Sequence, residues 1–371
     1  MIRLVSLLAV LLVLGCQPAA DAQTQTQSQT QPGANPPTEL LKTGADVLRE
    51  SGFEALSGLR VGLIANQTSV SGGQHLADLL HAQPGVQLAA LFGPEHGLRG
   101  DADAGLAVED GVDDRTGTPV YSLYGSRREP DPEVLEGIDV LMFDVQDIGA
   151  RFYTYIATMG RSMEAAARAG VTFVVLDRPN PLGGLTVDGF VLEEGFESFV
   201  GPWAIPIQHG LTVGELARLL KGEAWIEGAE ALDLQVVEVQ GWSRGDLWPA
   251  GAEWIPTSPN IPRFDNALVY PGMCLLEATE ANEGRGTDNP FMQFGAPGLN
   301  GSAVAANLNR EVAGIEATPL RYVPQSIPGK STSPRLLDVE VTGVSLAVTD
   351  AAQVRPMALG IHVLAELVAQ Q

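Results

Sequence analysis

"GIDVLMFDVQDIGARFYTYIATMGRSMEAAARAGVTFVVLDRPNP", Gly137–Pro181, decides the fold. Two short apolar runs, one ending at Asp144 and the other at Asp177, flank the segment "SMEAAARAG", which reads as a helix closed by Gly170. A strand covered on both faces carries a continuous apolar run, and two such strands joined by a helix make a parallel βαβ unit. The alternation continues in both directions. Upstream stand "LRVGLIANQTSV" as a strand, "HLADLLHAQ" as a helix and "VQLAALFGPEHG" as a strand. Downstream, "LTVGELARLLKGE" reads as a helix and "LDLQVVEVQGW" as a fifth strand. Thr212 and Glu215 have the Thr-x-x-Glu spacing of a capping box and are assigned to helix initiation. The fold class is therefore α/β, with a Rossmann-like, mostly parallel sheet. The texture changes beyond Asp265 to a Gly- and Asn-rich stretch, and a smaller second α/β domain is placed at 266–371, after a first at 38–265.

In an open parallel sheet, ligands bind outside the carboxyl ends of the strands. Four of these strands end in polar strings there: "ANQTS", "GPEHG", "DVQDIG" and "DRPNP". Glu95 and His96 sit side by side in the second. A partly shielded carboxyl in a turn suits general acid work, and it equally suits capping a loop. Asp147 in the third string, with Arg151 and Tyr153 just after it, makes a polar cluster or a plain ion pair at a helix start. Arg178 and Asn180 lie in the fourth, whose prolines suit a preorganised platform or a structural turn. His209 precedes the capping box and has no decided role. Glu283 and Arg285 lie in the loop "TEANEGRGTDNPF", which lacks the strand and Lys of a phosphate-binding loop. Trp254, before "IPTSPNIP", is the tryptophan favoured as a ligand wall. No nucleophile elbow and no His-Glu-x-x-His occur. Paired carboxylates without a metal site or serine nucleophile point toward glycoside hydrolysis.

The ends and the charge fix the setting. "MIRLVSLLAVLLVLGC" has Arg3, an apolar run and a terminal Cys16, the pattern of a lipoprotein signal peptide over 1–16 with Cys16 as the lipidated residue. The Gln/Thr/Ser/Pro-rich stretch 17–37 reads as a flexible linker. The expected localisation is outside the cytoplasm, facing the periplasm or cell exterior, with membrane contact through the lipid anchor alone. A net charge of −23 argues against nucleic acid as a partner. Apart from Cys16 only Cys274 is present, so no cysteine metal cluster forms, and no metal or other cofactor is expected.

The strings "LFGPEHGLRG", "FDVQDIGARFYTY", "DRPNPL", "PIQHGLTVGELA", "PTSPNIP" and "FGAP", with the intervening Asn-Glu-Gly-Arg-Gly-Thr motif, occur here in one order. Together they resemble the exo-β-N-acetylmuramidase (NamZ/YbbC-like) family over roughly 56–298. The resemblance implies a Rossmann-like domain, a smaller α/β domain and a cleft between them. It implies an exo-acting glycoside hydrolase that releases terminal β-1,4-linked N-acetylmuramic acid from non-reducing ends of peptidoglycan fragments, without a cofactor. Peptidoglycan-derived saccharides would be its partners. Glu95 would be the main catalytic residue, with Glu283 or Asp147 assisting, unless the substrate's own acetamido group is the nucleophile. Arg151, Arg178 and Arg285 would meet the lactyl carboxylate. His96, Tyr153, Asn180, His209, Trp254 and Asn260 complete the expected substrate contacts. The family pattern has a further helical segment after "GIHVLAEL", so the second domain is read as shortened. The competing readings are a non-catalytic muropeptide-binding lipoprotein and a cell-wall esterase or amidase.

Overall fold

The computed structural model describes residues 40–100, 105, 109–248 and 252–370. The signal peptide, the linker and the lipidation site Cys16 lie outside the described residues. In chain order, α1 (Gly44–Glu50) precedes β1 (Arg60–Ala65), and a small hairpin, β2 (Val70–Ser71) and β3 (Gln74–His75), leads into α2 (Leu76–Ala82). Next come β4 (Gln87–Gly93), β5 (Gly111–Val112), β6 (Pro119–Ser122), α3 (Pro132–Leu135) and β7 (Val140–Asp144). Then follow α4 (Tyr155–Ala169), β8 (Thr172–Leu176), α5 (Val213–Gly222) and β9 (Leu234–Val237).

These strands make one sheet in the order β5-β6-β4-β1-β7-β8-β9, parallel throughout except for the pairing of β5 with β6. The chain moves outward from β1 through β4 to β6, then returns to β7 on the other side of β1. That reversal is the topological switch point of a Rossmann-like sheet, and it puts the loops after β1 and β7 next to each other. All five residues of β7 are buried, as the continuous apolar run requires. One sheet face packs Ile64, Phe92, Phe143 and Phe173 against α4 and α5. The other packs Leu63, Leu91, Met142 and Leu176 against α1 and α2. Each such side chain contributes about 1.5–3 kcal/mol through burial.

Helix α4 is longer than "SMEAAARAG" suggests. It starts at Tyr155 and ends at Gly170, whose left-handed φ of 67° closes it. Tyr155 and Ile156 are buried, so this first turn contributes to the core, and "FYTY" is where the loop becomes helix. The capping box of α5 forms as read: Thr212 Oγ1 accepts from Glu215 N, and Glu215 accepts from Thr212 N.

After the large sheet come α6 (Phe264–Met273), β10 (Gln293–Ala296), α7 (Gly301–Glu311), β11 (Ile315–Tyr322), β12 (Val341–Val348) and α8 (Pro356–Ala369). The three strands form an antiparallel sheet, β10-β12-β11. Of these elements, only α8 has a helical pattern in its sequence, "PMALGIHVLAELVAQQ". Strand β11 carries Pro319, which an edge strand tolerates, and about half of its residues are exposed. Such a strand has no apolar run to announce it. Helix α6 contains Pro271 inside "YPGM", which reads as a turn. It is helical because it is buried on nearly all sides, against α8 in particular.

Candidate active site

A cleft of about 560 Å³ opens between the carboxyl edge of the large sheet and the elements after residue 257. Glu95, His96, Tyr124 and Phe152–Thr154 line the sheet side, and Ser258, Asn260, Tyr270, Cys274, Glu277, Arg285 and Phe291 line the other. A larger groove, about 780 Å³, is lined by His75, Leu98, Arg99 and Asp113 and shares His96 with the cleft. In it Arg99 bridges Asp113 and Asp78, so its main cation is already neutralised. The cleft, which combines carboxylates, an arginine and aromatic walls, is the better place for chemistry on a sugar.

The turn that aims Glu95 is built by its own sequence. Strand β4 ends at Gly93, where a Cβ would stand 2.9 Å from Leu98 N and 3.1 Å from Gly97 Cα. Only glycine lets the chain fold back so closely. Gly97 N donates to Pro94 O at 2.9 Å, and His96 takes a left-handed φ of 72°. Backbone of this kind in a non-glycine residue costs on the order of 1–3 kcal/mol and concentrates at functional sites. The turn leaves His96 buried and projects Glu95 into the cleft.

Two donors hold the Glu95 carboxylate. Gly105 N donates to Oε1 at 3.0 Å, and Thr154 Oγ1 donates to Oε2 at 2.9 Å. Tyr124 lines the same side of the cleft. Burial, helped by the Glu95 charge, pushes the Tyr124 pKa up to about 12, so Tyr124 remains a donor at neutral pH. Thr154, the N-cap of α4, has helical backbone (φ −70°, ψ −11°) and makes no side-chain cap bond, and its hydroxyl donates to Glu95. The carboxylate thus lies against the N-terminal end of a long helix, the end that attracts anions. Among the described residues no cation pairs with Glu95.

The opposite wall carries Arg285. Its Nη2 donates to Glu277 Oε1 at 2.7 Å, and its Nε lies 3.2 Å from Glu283 Oε1. Burial works against the Arg285 charge, but Glu277, Tyr270 and Glu283 outweigh it and raise its pKa. Glu283 behaves differently: burial pushes its carboxyl pKa up, and the Arg285 charge offsets this only in part. Aromatic rings make up the floor. Tyr153 packs edge-on to Tyr155 at 5.0 Å and to Tyr270 at 5.7 Å, and Tyr270 meets Phe291 at 4.8 Å. Tyr153 and Tyr155 donate to Thr257 Oγ1 and Thr257 O at 2.8 and 2.6 Å, which fastens the loop carrying Ser258 and Asn260.

The structure brings Glu95, His96, Tyr153, Asn260 and Arg285 together in the cleft and sets the other sequence candidates apart from it. Glu283 lies behind Arg285 and is 4% exposed. Asp147 is buried beneath the cleft, accepts from Gly149 N at 2.6 Å and faces His209 Nε2 at 3.6 Å. His209 Nδ1 accepts from Leu211 N, which leaves Nε2 to carry the proton toward Asp147. Arg178 is fully engaged with Asp144, Nε to Oδ1 at 2.6 Å and Nη2 to Oδ2 at 3.0 Å. Arg151 Nη1 donates to Phe190 O and Ile205 O and clamps the neck of the 190–205 loop. Asn180 bonds Leu182 N and Leu211 O. Trp254 donates to Ile261 O and packs edge-on to Trp248, behind the loop wall. Most of these residues are engaged by neighbouring backbone or by Asp144 rather than presented to the cleft.

Thr154, Tyr124 and Glu277 are the cleft residues that the sequence reading passed over. Thr154 adjoins Tyr153, and Glu277 lies six residues before Glu283 of the Asn-Glu-Gly-Arg-Gly-Thr motif, so both were near a signal. Tyr124 stands in "LYGSRREP", which has no chemical pattern of its own.

The Rossmann switch point itself is closed. The Asp144–Arg178 pair fills it, Ser69 Oγ donates to Asp144 O, and Thr68 Oγ1 both donates to Asn66 Oδ1 and accepts from Gln146 N. No group of three metal-ligating side chains is assembled among the described residues.

Models of the exo-β-N-acetylmuramidase NamZ family match this chain, the N-terminal one over 61–265 and the C-terminal one over 268–371. The chain belongs to this family. It is 40% identical over 357 residues to the peptidoglycan β-N-acetylmuramidase NamZ of Bacillus subtilis (strain 168), covering 95% of this chain and 82% of the relative. Two crystal structures of DUF1343 family proteins from Bacteroides fragilis NCTC 9343 share the fold. One superposes with a TM-score of 0.80 at 41% identity, covering 89% of this chain and 83% of the other. The second gives 0.70 at 30%, covering 88% and 91%.

Proposed function

We propose that this chain is an exo-acting glycoside hydrolase that releases terminal β-1,4-linked N-acetylmuramic acid from the non-reducing ends of peptidoglycan fragments. One observation carries the reading: among the described residues, Glu95 enters the cleft held by neutral donors, while Glu277, the second carboxylate lining it, is tied to Arg285. A carboxyl held by neutral donors can give and take a proton without breaking an ion pair. In the proposed reaction Glu95 protonates the glycosidic oxygen as the bond to the anomeric carbon breaks. The acetamido oxygen of the same sugar closes on that carbon. Glu95 then takes a proton from the water that opens the ring, which restores the acid and yields the free sugar. Glu283 and Asp147, both buried away from the cleft, hold the walls in this scheme. The relative's printed activity and the family match support the substrate class.

The test is incubation of the protein with MurNAc-β-1,4-GlcNAc, with free MurNAc followed by mass spectrometry. Release establishes the activity. A folded protein that binds the disaccharide without cleaving it would overturn the hydrolase in favour of a muropeptide-binding protein. We also propose export and lipidation at Cys16. Radiolabelled palmitate incorporated by the parent chain and lost in Cys16→Ser is the expected result, and equal labelling of both would refute it.

A further inference from the structure

A substrate bearing a carboxylate must find a cation in a body whose net charge is −23. The arginines first considered for that task have other partners. Arg178 is spent on Asp144, Arg151 on backbone carbonyls, and Arg285 is shared between Glu277 and Glu283. Arg127 is paired with Asp110 and Asp131.

Arg128 is different. Among the described residues no carboxylate pairs with it. Its guanidinium carbon sits 4.5 Å from the centroid of the Phe199 ring. The Phe199 ring is in turn 6.4 Å from that of Tyr124, which lines the cleft with Glu95. The next residue of the same loop, Val200, lines the cleft. Arg128, Arg161, Ser198 and Phe199 surround a recess of about 260 Å³ beside the cleft, which also contains Glu197. Arg161 is already turned to Glu164 at 2.9 Å. A guanidinium held by its face on a ring keeps its in-plane N–H fork for an anion, and that fork matches a carboxylate. The Arg128 charge is also near enough to act on Tyr124, where it opposes the rise in that residue's pKa.

We infer that Arg128 binds the carboxylate carried by the muramoyl arm of the substrate and so selects N-acetylmuramic acid over N-acetylglucosamine. The inference rests on the proposed function, since it names the group that recognises that substrate. The carboxylate is either the free lactyl group at O3 or, where a stem peptide is attached, a carboxylate of that peptide.

The experiment compares the parent protein with Arg128→Gln and Arg128→Lys on MurNAc-β-1,4-GlcNAc and on the same disaccharide carrying L-Ala-D-Glu. A lost charge-assisted pair should raise KM in Arg128→Gln by about tenfold or more. The expected change in kcat is small, and Arg128→Lys should recover part of the loss. Inhibition by free MurNAc should weaken in Arg128→Gln, while inhibition by GlcNAc should stay the same. A defect on the peptide-free disaccharide identifies the lactyl carboxylate, and a defect confined to the peptide-bearing one identifies the peptide. Unchanged KM on both substrates with unchanged MurNAc inhibition overturns the inference. If the parent protein cleaves neither substrate, the proposed function fails separately. Calorimetric binding of MurNAc then decides Arg128: weaker binding in Arg128→Gln sustains its role, and equal binding removes it.

Discussion

Glu95 is the residue on which the chemistry turns, and its surroundings allow a clean substitution. Glu95→Gln keeps an oxygen to accept from Thr154 Oγ1 but cannot transfer a proton. Release of MurNAc should fall by about 10²–10⁴-fold, the usual contribution of general acid–base catalysis. The far-ultraviolet circular dichroism spectrum and the melting temperature should match those of the parent. A loss of less than about tenfold would give the proton transfer to another group. Glu95 was legible because its signal is local: Gly93, Pro94 and Gly97 are the residues that the fold-back requires, and they are adjacent in sequence. Tyr124 and Thr154 were not legible, since what marks them is contact with Glu95 from other segments.

At the scale of the element, the exits of β7 and β8 are locked together by Arg178 on Asp144, both at most 5% exposed. Arg178→Met keeps most of the side-chain volume and leaves Asp144 buried without its partner. Breaking a buried pair from one side typically costs about 3–5 kcal/mol, so chemical denaturation should show a loss of that order. Adding Asp144→Asn should recover part of it. A single variant as stable as the parent would show that the pair does not hold the two exits. The caps illustrate which local rules survive folding. The Thr212–Glu215 box was readable because both partners lie within one turn. The start of α4 was not, because its N-cap Thr154 has helical backbone and makes no side-chain cap bond that a local pattern could announce.

Across the whole molecule, the second sheet is joined to the rest through α6 and α8, which cross where Gly272 meets Gly360. A Cβ on Gly360 would stand 2.6 Å from Gly272 Cα. Gly360→Ala should therefore destabilise by about 1–3 kcal/mol despite alanine's better helix propensity, and a lower melting temperature checks it. A melting temperature equal to or above the parent's would show that the crossing can relax. The acid side of the stability curve should depend on Asp113. Burial alone would raise its pKa, but the Arg99 guanidinium and the Thr116 hydroxyl outweigh burial and hold it below the ordinary value. A lowered folded-state pKa gives stability that is present above the unfolded pKa and is lost as pH falls through the folded value. Asp113→Asn should thus be less stable than the parent at pH 7, with the gap closing below about pH 4. Glu283 and Asp177, which burial pushes upward, have the opposite sign, so the difference between variant and parent is the quantity to measure. A gap that stays constant with pH would remove Asp113 from the acid response. The sequence by itself determined the parallel sheet, the helix ends at Gly170 and Thr212, and the turn that presents Glu95, because each rests on residues within a few positions of one another. Folding in three dimensions set Glu277 on the cleft and Glu283 behind Arg285, engaged Arg178 and Asp147 internally, and left Arg128, among the described residues, with a ring and no carboxylate. Ion pairing and burial are settled between distant segments, and no local pattern records which partner each charged group will meet.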